Sequence, residues 1–213
     1  MKTKIIIAAV VVMLLILLGW QRIFPSASGS AAVMQSAPIM VDPTTLPGIQ
    51  AGNAPWSVEL SHLKERLSAI GLVALPQEGT TLHIHQHLDI TINGSPIQIP
   101  SGIGVNETAG YISPIHVHDL TGIIHVESPV VRDFTLGEFF DIWGVRFTKD
   151  CIGAYCATGT TNALNIYVNG QSFAGNDPRT LVLAPHQEIA ITYGSTSTAS
   201  TTIPKEFTFP AGD

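Results

Sequence analysis

This sequence predicts a mostly β domain of the α+β class. The expected fold is an antiparallel sheet built of Asn-Gly hairpins, with one N-terminal amphipathic helix and one short helix packing on it. Three observations predict it. Segments such as LHIHQHLDITI, IIHVES and EIAITYG alternate apolar and polar residues with the period of two that half-buried strands require. Asn93-Gly94 and Asn169-Gly170 follow such segments, and Asn-Gly supplies the positive φ of a tight hairpin turn. Only two stretches carry helical spacing instead.

The first of these is WSVELSHLKERLSAIGL, where Leu60, Leu63, Leu67 and Ile70 recur at helical intervals and Gly71 is placed to end the helix. His62 lies on it beside Leu63 and reads as a surface residue rather than a ligand. The second is FTLGEFFDIWG, in which Thr135 and Glu138 have capping-box spacing and Gly144 marks the end. Between them, LHIHQHLDITINGSPIQI reads as a strand, a turn and a second strand, and ISPIHVHDLTGIIHVES as another hairpin. NIYVNGQSF repeats the strand-Asn-Gly pattern, and EIAITYG adds a last strand. Asn93 and Asn106 lie in N-x-S/T sequons, which matter only in a host that glycosylates.

The chain has 213 residues, of which 45% are apolar and only 12% charged, with a formal net charge of −6. No basic stripe offers the phosphate neutralisation that nucleic-acid binding needs, so no nucleic-acid partner is expected. Lys2 and Lys4 precede an apolar run from Ile5 to Trp20. As a helix the run spans about 24 Å, between a signal-peptide core and the roughly 30 Å of a bilayer's hydrocarbon. The leading lysines favour a cytoplasmic N-terminus and an exported remainder. The expected organisation is therefore a signal anchor over 1–24, a flexible Ser/Ala/Gly/Pro-rich linker over 25–55, and an extracytoplasmic His-rich β domain over 56–213. Secretion after cleavage of the signal is the alternative. In that compartment Cys151 and Cys156, the only cysteines, are expected to form a small disulfide loop. All four methionines lie at or before Met40, so a blue-copper set of His, Cys and Met is not assembled.

Six of the eight histidines fall between His83 and His125. On a strand, His83, His85, His87 and Asp89 share one face and Leu82, Ile84, Leu88 and Ile90 the other, with Gln86 the one break in the apolar set. His116 and His118 share a face in the next segment, as do His125 and Glu127. Thr, Ser, Lys or Glu would serve a merely exposed face, whereas imidazole supplies neutral nitrogen ligands near pH 7. His83, His85, His87, His116, His118, His125 and Glu127 are therefore the candidate metal ligands, and zinc or copper the expected ion. Residues two apart on a strand lie about 6.6 Å apart, so neighbouring histidines can converge on one ion, whereas His83 and His87, about 13 Å apart, cannot easily share one.

The second segment admits two registers. A two-residue Thr121-Gly122 turn sets His118 opposite His125 and His116 opposite Glu127, all on one side. A type I turn with a Gly bulge puts the pairs on opposite faces. The even turn is favoured because it gathers the polar groups and keeps the apolar face intact.

His-x-His plus a third histidine from another strand resembles the zinc layout of α-type carbonic anhydrases, and loosely the metal sites of cupins, in ligand pattern only. At the level of whole motifs, HIHQHLDITINGSPIQIPSGIG, HVHDLTGIIHVESP, FTLGEFFDIWG and NIYVNG…DPRTLVL…FTFPAG resemble a family of exported, often membrane-anchored bacterial and archaeal proteins. The resemblance covers most of residues 80–213 and implies a secreted His-rich domain without implying a reaction.

Three functions follow. One is a membrane-anchored, extracytoplasmic metal-binding module. Another is a metal-dependent enzyme of hydrolase, lyase or oxygenase type, with Glu127 or Asp119 as base toward metal-bound water. The last is a metal-free surface interaction module. Ser113 and Ser128 lie near histidines but carry no mark of an activated nucleophile, and no phosphate-binding glycine loop is present.

Overall fold

The computed structural model describes residues 37–159, 161–195 and 202–211. The anchor expected over 1–24 and the first part of the expected linker lie outside them. Among the described residues, no helix is long and apolar enough to cross a membrane.

The sheet is built in chain order. Strand β1 (Leu82–Ile92) turns through Asn93, at φ 51°, and Gly94, at φ 81°, into β2 (Ser95–Ile97). A small hairpin of β3 (Val105–Asn106) and β4 (Tyr111–Ile112) follows, then β5 (Ile115–His116) and β6 (Ile123–Ser128). Another small hairpin joins β7 (Cys151–Ile152) to β8 (Tyr155–Cys156). Finally β9 (Ala163–Val168) turns through Asn169 and Gly170 into β10 (Gln171–Ser172), and β11 (Glu188–Gly194) closes the sheet. The order across the main sheet is β10-β9-β11-β1-β6-β5, with β2 also paired to β1.

The mostly β, α+β architecture holds, and the hairpin turns form where Asn-Gly places them. One pairing departs from an all-antiparallel sheet: β1 and β11 run parallel, His87 opposite Glu188 and Ile92 opposite Tyr193. Nothing local encodes it, because the partners are about a hundred residues apart and each also pairs with another strand on its other edge. β1 thus has different partners along its length. Its first half pairs with β6, and its second half lies between β2 and β11.

Helix α1 (Leu63–Ala69) buries Leu63 and Leu67, and Gly71 adopts the left-handed conformation just beyond its end. Helix α2 (Leu136–Trp143) starts with both hydrogen bonds of the Thr135/Glu138 capping box and ends on left-handed Gly144. All eight residues of α2 are buried. Its ring system of Phe139, Phe140 and Trp143 meets Leu88, Ile90, Ile124, Val126, Ile189 and Ile191 in one core on the apolar face of the sheet. Asp141 fixes the helix by a two-pronged ion pair with buried Arg179, at 3.0 and 2.7 Å. The packed body begins before residue 56: Leu46 is buried, Gln50 bridges to Val145, and the Pro47 carbonyl accepts from Arg66. Within the described part of the expected linker, Pro43 and Leu46 are buried and the other residues are half-buried or exposed. Cys151 and Cys156 form the expected disulfide across the β7–β8 hairpin.

Candidate metal centre

Alternation on β1 turns Leu88, Ile90 and Ile92 into the core and His83, His85, His87 and Asp89 to the other face. Gln86 lies on the core side, fully buried, its amide donating to the Ile124 carbonyl at 2.6 Å. The β1–β6 register then sets His85 opposite His125 and His83 opposite Glu127. The β5–β6 register sets His116 opposite His125. A row of three imidazoles, His85, His125 and His116, therefore crosses three adjacent strands on one face.

This register corrects the expected one by two residues. His116, not His118, faces His125, and the chain between β5 and β6 is a longer loop. After His116 the strand leaves β6, and Val117 exchanges hydrogen bonds with Gly102 and Ile103 instead. Asp119 Oδ1 then accepts from the Thr121 amide at 2.8 Å and its hydroxyl at 2.5 Å, and Gly122 takes φ 85°. A shift of two preserves the face, so the polar groups still gather. His118 reaches the group from the loop, its Nε2 3.1 Å from that of His116.

Two sets of four candidate ligands result, His83/His85/His125/Glu127 and His116/His118/His125/Glu127, each with ligand atoms within 4.8 Å of one another. They share His125 and Glu127. Ligands held about 2.05 Å from a tetrahedral ion lie about 3.3 Å apart. Here His83 Nε2 is 3.0 Å from His85 Nε2 and 3.2 Å from Glu127 Oε1. His125 Nδ1 is 3.3 Å, and His116 Nε2 4.0 Å, from the same carboxylate oxygen. Most of these separations equally suit hydrogen bonds, so without metal the group is a proton-sharing network, and an ion would enter by replacing those protons.

His116 shows how the ligand form is prepared. It is fully buried, and its Nδ1–H donates to the Ser113 carbonyl at 2.9 Å, which leaves the Nε2 lone pair facing the group. Burial, with smaller contributions from His118, His125 and His85, lowers its pKa to about 3 against the opposing Ser113 carbonyl. It is a neutral imidazole throughout the physiological range. The opposite flank is open, since the His83 and His118 side chains are 53% and 43% exposed. Glu78, in the loop before β1, lies 3.3 Å from His118 Nε2 and was not signalled by any pattern in the sequence.

His87 belongs elsewhere. Its Nδ1 lies 2.7 Å from Glu188 Oε2 on β11, its Nε2–H donates to the Thr121 carbonyl at 2.8 Å, and Phe207 stacks on its ring at 3.8 Å. Burial pulls its pKa down, but the hydrogen bond and charge of Glu188 raise it by more, and the net shift is upward. Gly122 makes this approach possible: a Cβ there would sit 2.8 Å from the Leu88 carbonyl oxygen and 3.1 Å from His87 Nε2.

The other sequence candidates serve the backbone. Asp119 is exposed and held by Thr121, whose hydrogen bonds lower its pKa and make it a weak proton acceptor. Ser113 and Ser128 accept from the amides of Ile115 and Val130. His62 pairs with Glu59 at the start of α1, away from the cluster. The two cysteine sulfurs are locked in the disulfide, and among the described residues the two candidate ligand sets consist of nitrogen and oxygen donors.

No protein-family model, no curated protein and no solved structure matches this chain.

Proposed function

We propose that this domain binds a transition-metal ion, zinc or copper, through His83, His85, His116, His118, His125 and Glu127. It does so as a non-catalytic module on the outer side of a cell membrane. The observation that carries the reading is the in-register row of His85, His125 and His116 with Glu127 beside it. A purely polar face has no need of a fully buried histidine whose second nitrogen is already held as a donor. Imidazole with one carboxylate suits zinc and copper(II), and among the described residues the two sets hold no thiolate. Because the two ligand sets share His125 and Glu127, an ion captured at exposed His118 or His83 has a neighbouring set to pass into. That arrangement suits uptake or delivery. The N-terminal apolar run supports membrane anchoring.

The test is metal content of the full chain after dialysis. Wild type retains close to stoichiometric zinc or copper, His125→Ala loses it from both sets, and His62→Ala retains it. Equal retention in His125→Ala and wild type overturns the reading. An enzyme would need an open coordination position, which the exposed His83–His118 flank could supply. A metal-bound water titrating near neutral pH would favour that alternative.

A further inference from the structure

We infer that His87, Asp89 and Glu188 form a second divalent-cation site, separate from the histidine cluster and suited to a harder ion such as Mn²⁺. His87 and Asp89 share a face of β1, and Glu188 lies directly opposite His87 on parallel β11. One ligand atom from each of the three lies within 4.8 Å of the others.

The independent observation is on Glu188. Its side chain is 1% exposed, and its Oε1 meets no N–H or O–H donor of the protein, only the carboxyl group of Asp89. A carboxylate oxygen buried without a donor is costly, and a cation is one of the few groups that satisfies it. Among the described residues the only ion-pair partner of Glu188 is His87. Burial, with the neighbouring Asp89 carboxyl, raises the Glu188 carboxyl above its ordinary value against the hydrogen bond and charge of His87, as crowding of two carboxyl groups around one imidazole does. Phe207, stacked parallel on His87 with a 7° interplanar angle, covers one face of the imidazole.

His87 is also set up as a ligand. Its Nε2–H donates to the Thr121 carbonyl, which fixes the tautomer and leaves Nδ1 directed at Glu188. On binding, an M²⁺ ion takes the place of any proton on Nδ1. That proton goes to solvent, and the site gains one positive charge. Two carboxylates and one imidazole make a harder donor set than the imidazole cluster and favour manganese or ferrous iron over copper in geometry and ligand type. No residue is shared with the cluster, so this inference stands or falls apart from the function proposed above.

The test uses the metal-stripped full chain and Mn²⁺ alone, with bound ion read from loss of the free Mn²⁺ electron paramagnetic resonance signal. Wild type and His125→Ala are each expected to bind one Mn²⁺. Asp89→Asn and Glu188→Gln are expected to weaken it by at least about tenfold, as loss of a ligand should. Asp89 is only partly buried, so Asp89→Asn decides the matter if Glu188→Gln does not fold. Wild-type affinity in Asp89→Asn, loss of the Mn²⁺ on His125→Ala, or no Mn²⁺ bound by wild type overturns the inference. The last outcome assigns the site to a shared proton. Zinc retention by the cluster is measured in parallel and does not depend on this result.

Discussion

The two halves of β1 start from the same pattern and reach different chemistry. His83 and His85 meet β6, whose own alternation brings His125 and Glu127 into register, and β5 adds His116 beyond it. His87 and Asp89 meet β11, which offers Glu188, and the C-terminal segment lays Phe207 over His87. The first end is rich in imidazole and open along one flank; the second is rich in carboxylate and roofed. Alternation within a strand fixes only which residues share a face. The partner strand decides what they can do.

The two ends of β1 share one support. Both ends rest on the core beneath β1, and Phe140, fully buried in it, stacks on Phe147 at 4.1 Å. Phe140→Ala should cost about 3–5 kcal/mol and weaken metal retention at both ends together. Urea unfolding of the metal-free protein with parallel metal analysis checks this; loss at one end only would show that the ends are supported separately.

Acid should separate them. His116 has a folded-state pKa lowered to about 3 by burial, so the unfolded chain binds its proton first as pH falls below 6.5. Its contribution to stability is therefore lost as pH drops from 6.5 toward 3. The loss is about 1.4 kcal/mol per pH unit, or about 2 kcal/mol between pH 6.5 and 5. His87 runs the other way. Its pKa is raised by Glu188, so its contribution is complete below pH 6.5 and disappears as pH rises through the folded-state value. Urea midpoints of metal-free wild type and His87→Gln across pH 5–8 should show the wild type's advantage over the variant shrinking at the alkaline end. An advantage that grows there would contradict the assigned sign.

The disulfide tests which donors matter. A loop as short as that between Cys151 and Cys156 stabilises by about 2 kcal/mol, so replacing both with Ser should lower the unfolding midpoint while leaving metal content unchanged. Loss of metal in this variant would bring sulfur back into consideration. The smallest effect expected is at the roof. Phe207→Ala should cost about 1 kcal/mol from the lost stacking, speed amide exchange around His87, and leave zinc at the cluster untouched.

Much of this was legible beforehand because it is local. Asn-Gly turns, the Thr135/Glu138 capping box and the face assignment of His83, His85, His125 and Glu127 all follow from residues within one element. The register of β5 on β6 was not, because it is set by Gly102 and Ile103 capturing Val117 from outside the hairpin. Nor was the separation of His87 from the other histidines. It depends on Glu188, about a hundred residues away, and on a parallel pairing that hairpin signals do not announce. Glu78 has no signature in the sequence because a lone acidic residue in a loop carries no periodicity. The packing of Leu46 was hidden within a composition that reads as linker.

Gly122 carries one further consequence, for anyone mapping this protein by random mutagenesis. Its carbonyl accepts from Leu88, and its missing side chain leaves room for His87. A library scored on metal retention would rank position 122 among the least tolerant, although glycine there has nothing with which to ligate. The score would reflect the space between two strands, and a map that equated intolerance with coordination would count one ligand too many.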